Sequence, residues 1–533
     1  MSGKQGFYAS QSHLICVSTT GKNRFQKHSH YDYDAHLSTC GMSSLREHLW
    51  FHSAFMSLNR DQRERDFFAA GPLVDEYASS GDIQRLRTRD QSILIHSLHS
   101  QSLQNSAHVW VRGQGAVLVD QDGKEYLDAI SGLWNVILGH GRRELVDAAA
   151  SQMSRLAYAS GYTGSSNLPS IELGERLSEL CYPSMGGFFF GTGGAEAVDA
   201  AVKTARWWWK LQSQGDKIAV IGRQYGYHGT GMVAMSATGL PAYWPMFEPR
   251  IPNFEIVESP YPYRFNAESH RRGKDDLRSP GIIAADLVEE AILRLGAGQV
   301  ACVIAEPVQG AGGVIVPPDD YWPRLRAICT QHNVLLIADE IITGFGRTGD
   351  WFGLSRWNVE PDLVCFAKGI TNGSIPLSGV GFRRDIADAI RSAEGRQTWM
   401  HAATCSGHPV ACAVALATLD VLQSEGLLER VISLGERLRS GLASLESLSH
   451  VGQTRGVGLM AAVELVSDRS SRAEYRPEER IGPRVHAAAQ ARGMFSRLRG
   501  DVFNLAPCYV STESQIDSIV EILGESIREV TGD

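Results

Sequence analysis

Residues 334–369 read VLLIADEIITGFGRTGDWFGLSRWNVEPDLVCFAKG and contain two short apolar runs, 334–338 and 363–367. Each run ends at an ionisable residue, Asp339 and Lys368. Short apolar runs without alternation read as strands buried on both faces, as in a parallel sheet. Two more runs have the same form, KIAVIG at 217–222 and ACVIAEP at 301–307. Helical stretches lie between them, AEAVDAAVKTARWWW at 195–209 and YWPRLRAICTQHN at 321–333. This alternation predicts a large α/β domain over 156–420, with a mostly parallel sheet flanked by helices.

Outside this region the pattern changes. VWVRGQGAVLVDQDGKEYLDAI at 109–130 alternates apolar and polar residues around glycine turns, which predicts a small meander of strands. RRELVDAAASQMSRLA at 142–157 reads as a helix. Helical and strand patterns return after 425, so residues 86–155 and 421–533 are expected to form a smaller α/β domain from both ends of the chain. Residues 1–85 form an N-terminal extension. Its first 41 residues show no period and read as a poorly ordered leader, whereas 42–85 read as short helices.

The chain has 533 residues, too many for one ordinary core. Its formal charge of −8 and the lack of a basic stripe give no support for nucleic-acid binding. No apolar run approaches the roughly 18–20 residues of a membrane span. The nine cysteines are scattered, with no C-x-x-C pair, which suits free thiols in a reducing cytoplasm better than a disulfide framework.

In open parallel sheets, ligands gather at the carboxyl ends of strands. FFFGTGGAEAVDAAVKTAR at 188–206 carries a glycine turn into a helix, which reads as either a tight turn or a phosphate cup. Asp339 reads as either a capping residue or a buried carboxylate with a cationic partner. Tyr227, in QYGYHGTG, reads as either a core aromatic or a platform for a flat ring. Lys368 reads as either a lysine reaching solvent or a reactive amine. Only 9 of the 51 basic residues are lysine, and none follows Lys368. Arginine would serve an ion pair at least as well, but only lysine can deprotonate and attack a carbonyl. A phosphate cup, an acid for a ring nitrogen, a stacking aromatic and an amine together describe pyridoxal 5′-phosphate. No metal is expected.

Over residues 86–530 the chain resembles the class III aminotransferases of fold type I, in the ω-aminotransferase or amine–pyruvate branch. The motifs are ISGLWNVILGHGRREL, GTGGAEAVDAAVKTAR, YHG, VIAEPVQGAGGVIVPP, LLIADEIITGFGRTG, PDLVCFAKGITNG and TCSGHPVACAVALATL. The resemblance implies that Lys368 forms the Schiff base and then shuttles a proton, while Asp339 pairs with the ring nitrogen. It implies Tyr227 and Ile342 on the two ring faces, and Gly193, Gly194 and Ala195 on the phosphate. Glu306 and Gln309 would line the same pocket. Thr404 would reach the phosphate of a neighbouring subunit, which implies a homodimer or a dimer of dimers. Trp134 would stand at the substrate entrance, and Arg497 would pair with a substrate carboxylate, with Arg499 as its competitor.

The sequence also departs from the family pattern. The usual Ser-Gly-Ser of the phosphate loop is Gly193-Gly194-Ala195, with Thr192 as a possible replacement for one hydroxyl. The usual HG-F-T-Y is His401-Ala402-Ala403-Thr404-Cys405. These departures bear on the substrate rather than the cofactor. The expected activity is amino transfer from an amino acid or amine to an aldehyde, ketone or keto acid, by ping-pong chemistry and in specialised metabolism. Decarboxylation, epimerisation or an aminomutase reaction on the same scaffold is the alternative. A non-enzymatic interaction protein acting through residues 42–85 is a third reading, opposed by the intact Lys368 and Asp339.

Overall fold

The computed structural model describes residues 80–98 and 108–533. The leader at 1–41 and most of the helical reading for 42–85 fall outside the described residues. The last part of that reading, from residue 80, opens helix α1 (Ser80–Ile93).

A seven-stranded sheet forms the centre. Its strands are β4 (Met185–Gly191), β5 (Ala219–Arg223), β6 (Phe254–Val257), β7 (Val300–Ala305), β8 (Leu335–Asp339), β9 (Leu363–Phe366) and β10 (Ser378–Arg383). They lie in the order β4-β10-β9-β8-β7-β5-β6, and only β10 runs antiparallel to its neighbours. The apolar runs are continuous because both faces are covered. Ile337, Leu363 and Cys365 pack with Ala197, Val198 and Ala201 of the helix Gly194–Leu211, while Leu336, Ala338 and Val364 belong to the other cluster, with Val288, Leu325 and Ile328. The buried residues Ala197, Ala200, Ala201 and Ala205 of that helix recur at helical spacing. Their small side chains let its backbone lie close to the sheet.

Strand β10 was not apparent from sequence. Its segment SGVGFR looks like a loop because glycine is poor in strands. The glycines make room for neighbours. A Cβ on Gly379 would lie 2.3 Å from Phe366 Cζ, and one on Gly381 would lie 2.7 Å from Val364 Cγ1.

Two smaller sheets accompany the large one. The predicted meander is β1 (Trp110–Gln114), β2 (Val117–Asp120) and β3 (Glu125–Asp128), and β13 (Met494–Phe495) joins β3 in parallel from far along the chain. The other sheet has the order β11-β12-β15-β14, from Val451–Val457, Met460–Leu465, Val502–Leu505 and Arg497–Arg499. The seven cysteines among the described residues are all free, and six are buried. No single described helix is long and apolar enough to cross a membrane.

Candidate active site

The carboxyl ends of the sheet strands and the turns that follow them enclose a cavity of about 380 Å³. Thr192, Gly193, Gly194 and Ala195 line one end, and Tyr227, Glu306, Asp339, Ile342 and Lys368 line the remainder together with Leu133 and Asn135.

At the first end, β4 turns into α2 (Gly194–Leu211), with Gly193 extended and no side chain capping the helix. Its first-turn N–H groups therefore have no capping partner, and they carry the positive end of the helix dipole. Thr192 donates from both its N–H and its hydroxyl to Glu196 Oε2, at 2.6 and 2.9 Å. That hydroxyl is engaged within the turn, so the backbone is left as the main donor. A Cβ on Gly193 would meet nothing within 4 Å, so the space beside it is open.

Asp339 ends β8 and is 3% exposed. Its Oδ1 accepts from the Ile341 N–H at 3.1 Å, and its Oδ2 lies 2.7 Å from His228 Nδ1. His228 is itself buried, and its Nε2 has no partner among the described residues. Asp339 therefore does both: one oxygen caps the turn at Ile341, and the other is held by a buried imidazole. Glu306 directly follows β7. It accepts from the N–H groups of Tyr227 at 3.0 Å and Gly310 at 2.9 Å, and burial pushes its carboxyl above the ordinary range.

Lys368 follows β9 in a left-handed backbone conformation, φ 49°. Such a conformation is costly for a residue with a side chain and clusters at functional sites. Burial lowers its pKa to about 8; Asp339 and Glu306 oppose the shift, and Arg497 and Arg347 add to it. No hydrogen bond is seen to its Nζ among the described residues, which leaves the amine free to react. Asn372, four residues on, braces the turn: its Oδ1 accepts from the Leu138 N–H at 2.7 Å and its Nδ2 donates to Gly139 O at 2.9 Å.

The other expected residues divide. Trp134 does not line the cavity; it is 2% exposed in the core, while its neighbours Leu133 and Asn135 form the wall. The backbone there is irregular, with positive φ at Ser131, Gly132 and Trp134. Gln309 is turned away, donating to Gln224 O at 2.8 Å and accepting from Ser259. Thr404 is exposed and does not line the cavity. Arg497 and Arg499 share a face of β14 (Arg497–Arg499). Arg499 donates to Gly312 O at 2.8 Å and lies over the Tyr225 ring. Arg497 acts electrostatically on both Lys368 and Tyr227. His228 and Asn372 were not assigned roles from sequence; the only signals were the YHG and ITNG motifs.

The donor set fits one kind of ligand: a phosphate at the helix end, a basic ring nitrogen at Asp339 and a carbonyl at Lys368. The comparisons agree. The family described as Aminotransferase class-III matches residues 99–527. The chain is 36% identical to a putrescine–pyruvate aminotransferase of Pseudomonas aeruginosa, over 82% of this chain and 93% of the relative. It is also 36% identical to a diaminobutyrate–2-oxoglutarate transaminase of Halomonas elongata, over 83% and 96%. An (S)-enantioselective ω-transaminase of Thermomicrobium roseum superimposes with a TM-score of 0.80 at 42% identity, covering 84% of this chain and 98% of that one. A PLP-bound amine transaminase from an uncultivated Pseudomonas species gives a TM-score of 0.78 at 37% identity, covering 82% and 99%. The chain belongs to the class III aminotransferase family. It is an aminotransferase of fold type I, in a family of pyridoxal phosphate enzymes that act on an amino donor and a keto acceptor.

Proposed function

We propose that this chain binds pyridoxal 5′-phosphate in the cavity and moves an amino group from an amino acid or amine to an aldehyde, ketone or keto acid. When bound, the cofactor draws electrons from the carbon that bears the amino group. Gly193, Gly194 and Ala195 hold its phosphate through backbone N–H groups. Asp339, fixed by His228, would keep the ring nitrogen protonated, and Tyr227 and Ile342 would cover the two ring faces. Glu306 fixes the Tyr227 and Gly310 backbone beside the ring. Lys368 Nζ would hold the cofactor at its carbonyl and, as the amine within reach, would serve to move a proton between substrate and cofactor.

Arg497 is assigned to the substrate carboxylate, because Arg499 is already committed to Gly312 O and Tyr225. The entrance is assigned to Leu133 and Asn135, with Trp134 behind them. Thr404 is assigned to the phosphate of a partner subunit in a homodimer, a reading supported by its exposure outside its own cavity. The proposed large domain at 156–420 takes in the whole seven-stranded sheet. The unpaired thiols support a cytoplasmic setting.

The observation that carries this reading is the Lys368 amine, with its pKa near 8, in one cavity with the buried Asp339 and the uncapped helix. Borohydride reduction of the protein with pyridoxal phosphate, followed by peptide mass analysis, is expected to find the adduct on Lys368. Lys368→Ala is expected to lose that adduct, the visible absorption and amino transfer. An adduct on another lysine, or turnover by the variant, overturns the assignment.

A further inference from the structure

Residues 395–408 have little regular structure, yet three side-chain hydrogen bonds join them to one helix. Trp207 Nε1 donates to Gln397 O at 2.8 Å, Trp399 Nε1 donates to Thr204 Oγ1 at 3.0 Å, and Lys203 Nζ donates to His401 Nδ1 at 2.9 Å. Lys203, Thr204 and Trp207 all lie on α2. From β4, Phe189 packs against the rings of Trp399 and His401, with centroids 5.2 and 5.1 Å away. The two elements that frame the glycine turn at 191–194 therefore also hold the segment that carries Thr404.

The lysine contact is unusual. In a chain poor in lysine, this one is spent on an imidazole rather than a carboxylate. Burial, with the Lys203 charge added, holds the His401 pKa below its ordinary value, so the ring stays a neutral acceptor at Nδ1. Its Nε2 is then a buried donor with no partner among the described residues. An unmet buried donor is costly, so stability alone does not account for this arrangement. Placement does: a hydroxyl on an irregular segment meets a phosphate only if the segment is anchored closely. Beyond His401, Tyr158 donates to Thr404 O at 2.8 Å and fixes the backbone from the other side.

We propose that Lys203 is a positioning residue that sets Thr404 for the phosphate site of the partner subunit, with Trp207 as a second strut. This rests on the reading of Thr404 given above. Each α2 thus serves two sites, its own through Gly194 and the partner's through Lys203.

The test is a double-mutant cycle on the dissociation constant for pyridoxal phosphate, measured by titrating the full-length apoprotein. Lys203→Met and Thr404→Val are each expected to weaken binding roughly threefold to tenfold, the range for one hydrogen bond. The double variant is expected to bind no worse than Thr404→Val alone, because Lys203 acts only through Thr404. A general structural role would instead give additive losses, and additivity overturns the proposal, as does unchanged binding by Lys203→Met. Wild-type binding by Thr404→Val would show that the Thr404 reading itself has failed, and the proposal with it. If Lys203→Met does not assemble, Trp207→Phe carries the same cycle, since it keeps an aromatic ring while removing the indole N–H that donates to Gln397 O.

Discussion

His228 Nδ1 lies 2.7 Å from Asp339 Oδ2, and both side chains are almost fully buried. The pair spans two strand ends, after β5 and at the end of β8, and it orients one of the two acids, with Glu306, that line the cavity beside Lys368 and Tyr227. Removing one member of a buried hydrogen-bonded pair leaves the other without its partner. His228→Ala is expected to lower kcat/KM roughly tenfold to a hundredfold, in line with one hydrogen bond to a charged group. Steady-state kinetics on any accepted donor and acceptor check this. Activity within twofold of wild type would mean that Asp339 holds its place unaided.

The pH response follows from Lys368. Its folded pKa, about 8, lies below the ordinary value of 10.5 because burial disfavours the charged amine. The unfolded chain therefore binds the extra proton between these two values, and this group's contribution to stability rises with pH across that window. Below about pH 8 the amine is protonated in both states, and its burial opposes folding in full. The neutral amine is the nucleophile. Capture of pyridoxal phosphate by the apoprotein should therefore accelerate between roughly pH 7 and 9 and level off above that. Stopped-flow absorbance reads the profile, and a midpoint near 10.5 would contradict it.

Arg497 lowers the Lys368 pKa by charge repulsion. Arg497→Gln is expected to move that capture profile to higher pH. The same variant should raise KM for amino and keto acids roughly tenfold, the scale of a lost charge-assisted hydrogen bond, while sparing amines that lack a carboxylate. Equal losses for both substrate classes would remove Arg497 from the carboxylate role, and the matching experiment on Arg499→Gln would show whether the role belongs there.

The packing of β10 gives a stability prediction. A Cβ on Gly379 would fall 2.3 Å from Phe366 Cζ and 2.8 Å from Phe189 O. Gly379→Ala should therefore destabilise the chain by about 1–3 kcal/mol through overpacking. A fall in the denaturant midpoint with an unchanged slope checks this. A midpoint equal to wild type would mean that Phe366 can turn aside without cost.

The same strand marks where sequence reading reaches its limit. Strands β7, β8 and β9 were legible because burial on both faces leaves unbroken apolar runs. Asp339 and Lys368 were legible because each interrupts such a run at the end where ligands gather. β10 hid because its two glycines answer to Phe366, Val364 and Phe188, residues remote in the chain. That Leu133 and Asn135 line the cavity while Trp134 is buried beside them hid for a different reason: with positive φ at Ser131, Gly132 and Trp134, no helical or strand period says which side chain faces inward. His228 was read only as the neighbour of Tyr227, because its partner Asp339 lies 111 positions away.

Asn372 ties the Lys368 turn to Leu138 and Gly139, made early in synthesis, and Arg497 arrives from a strand made near its end. Burial, the main cause of the lowered Lys368 pKa, and the added charge of Arg497 both depend on these segments having docked. The nucleophile is therefore tuned by segments from both ends of the chain, and its share of neutral amine exceeds that of an ordinary lysine only once they have come together.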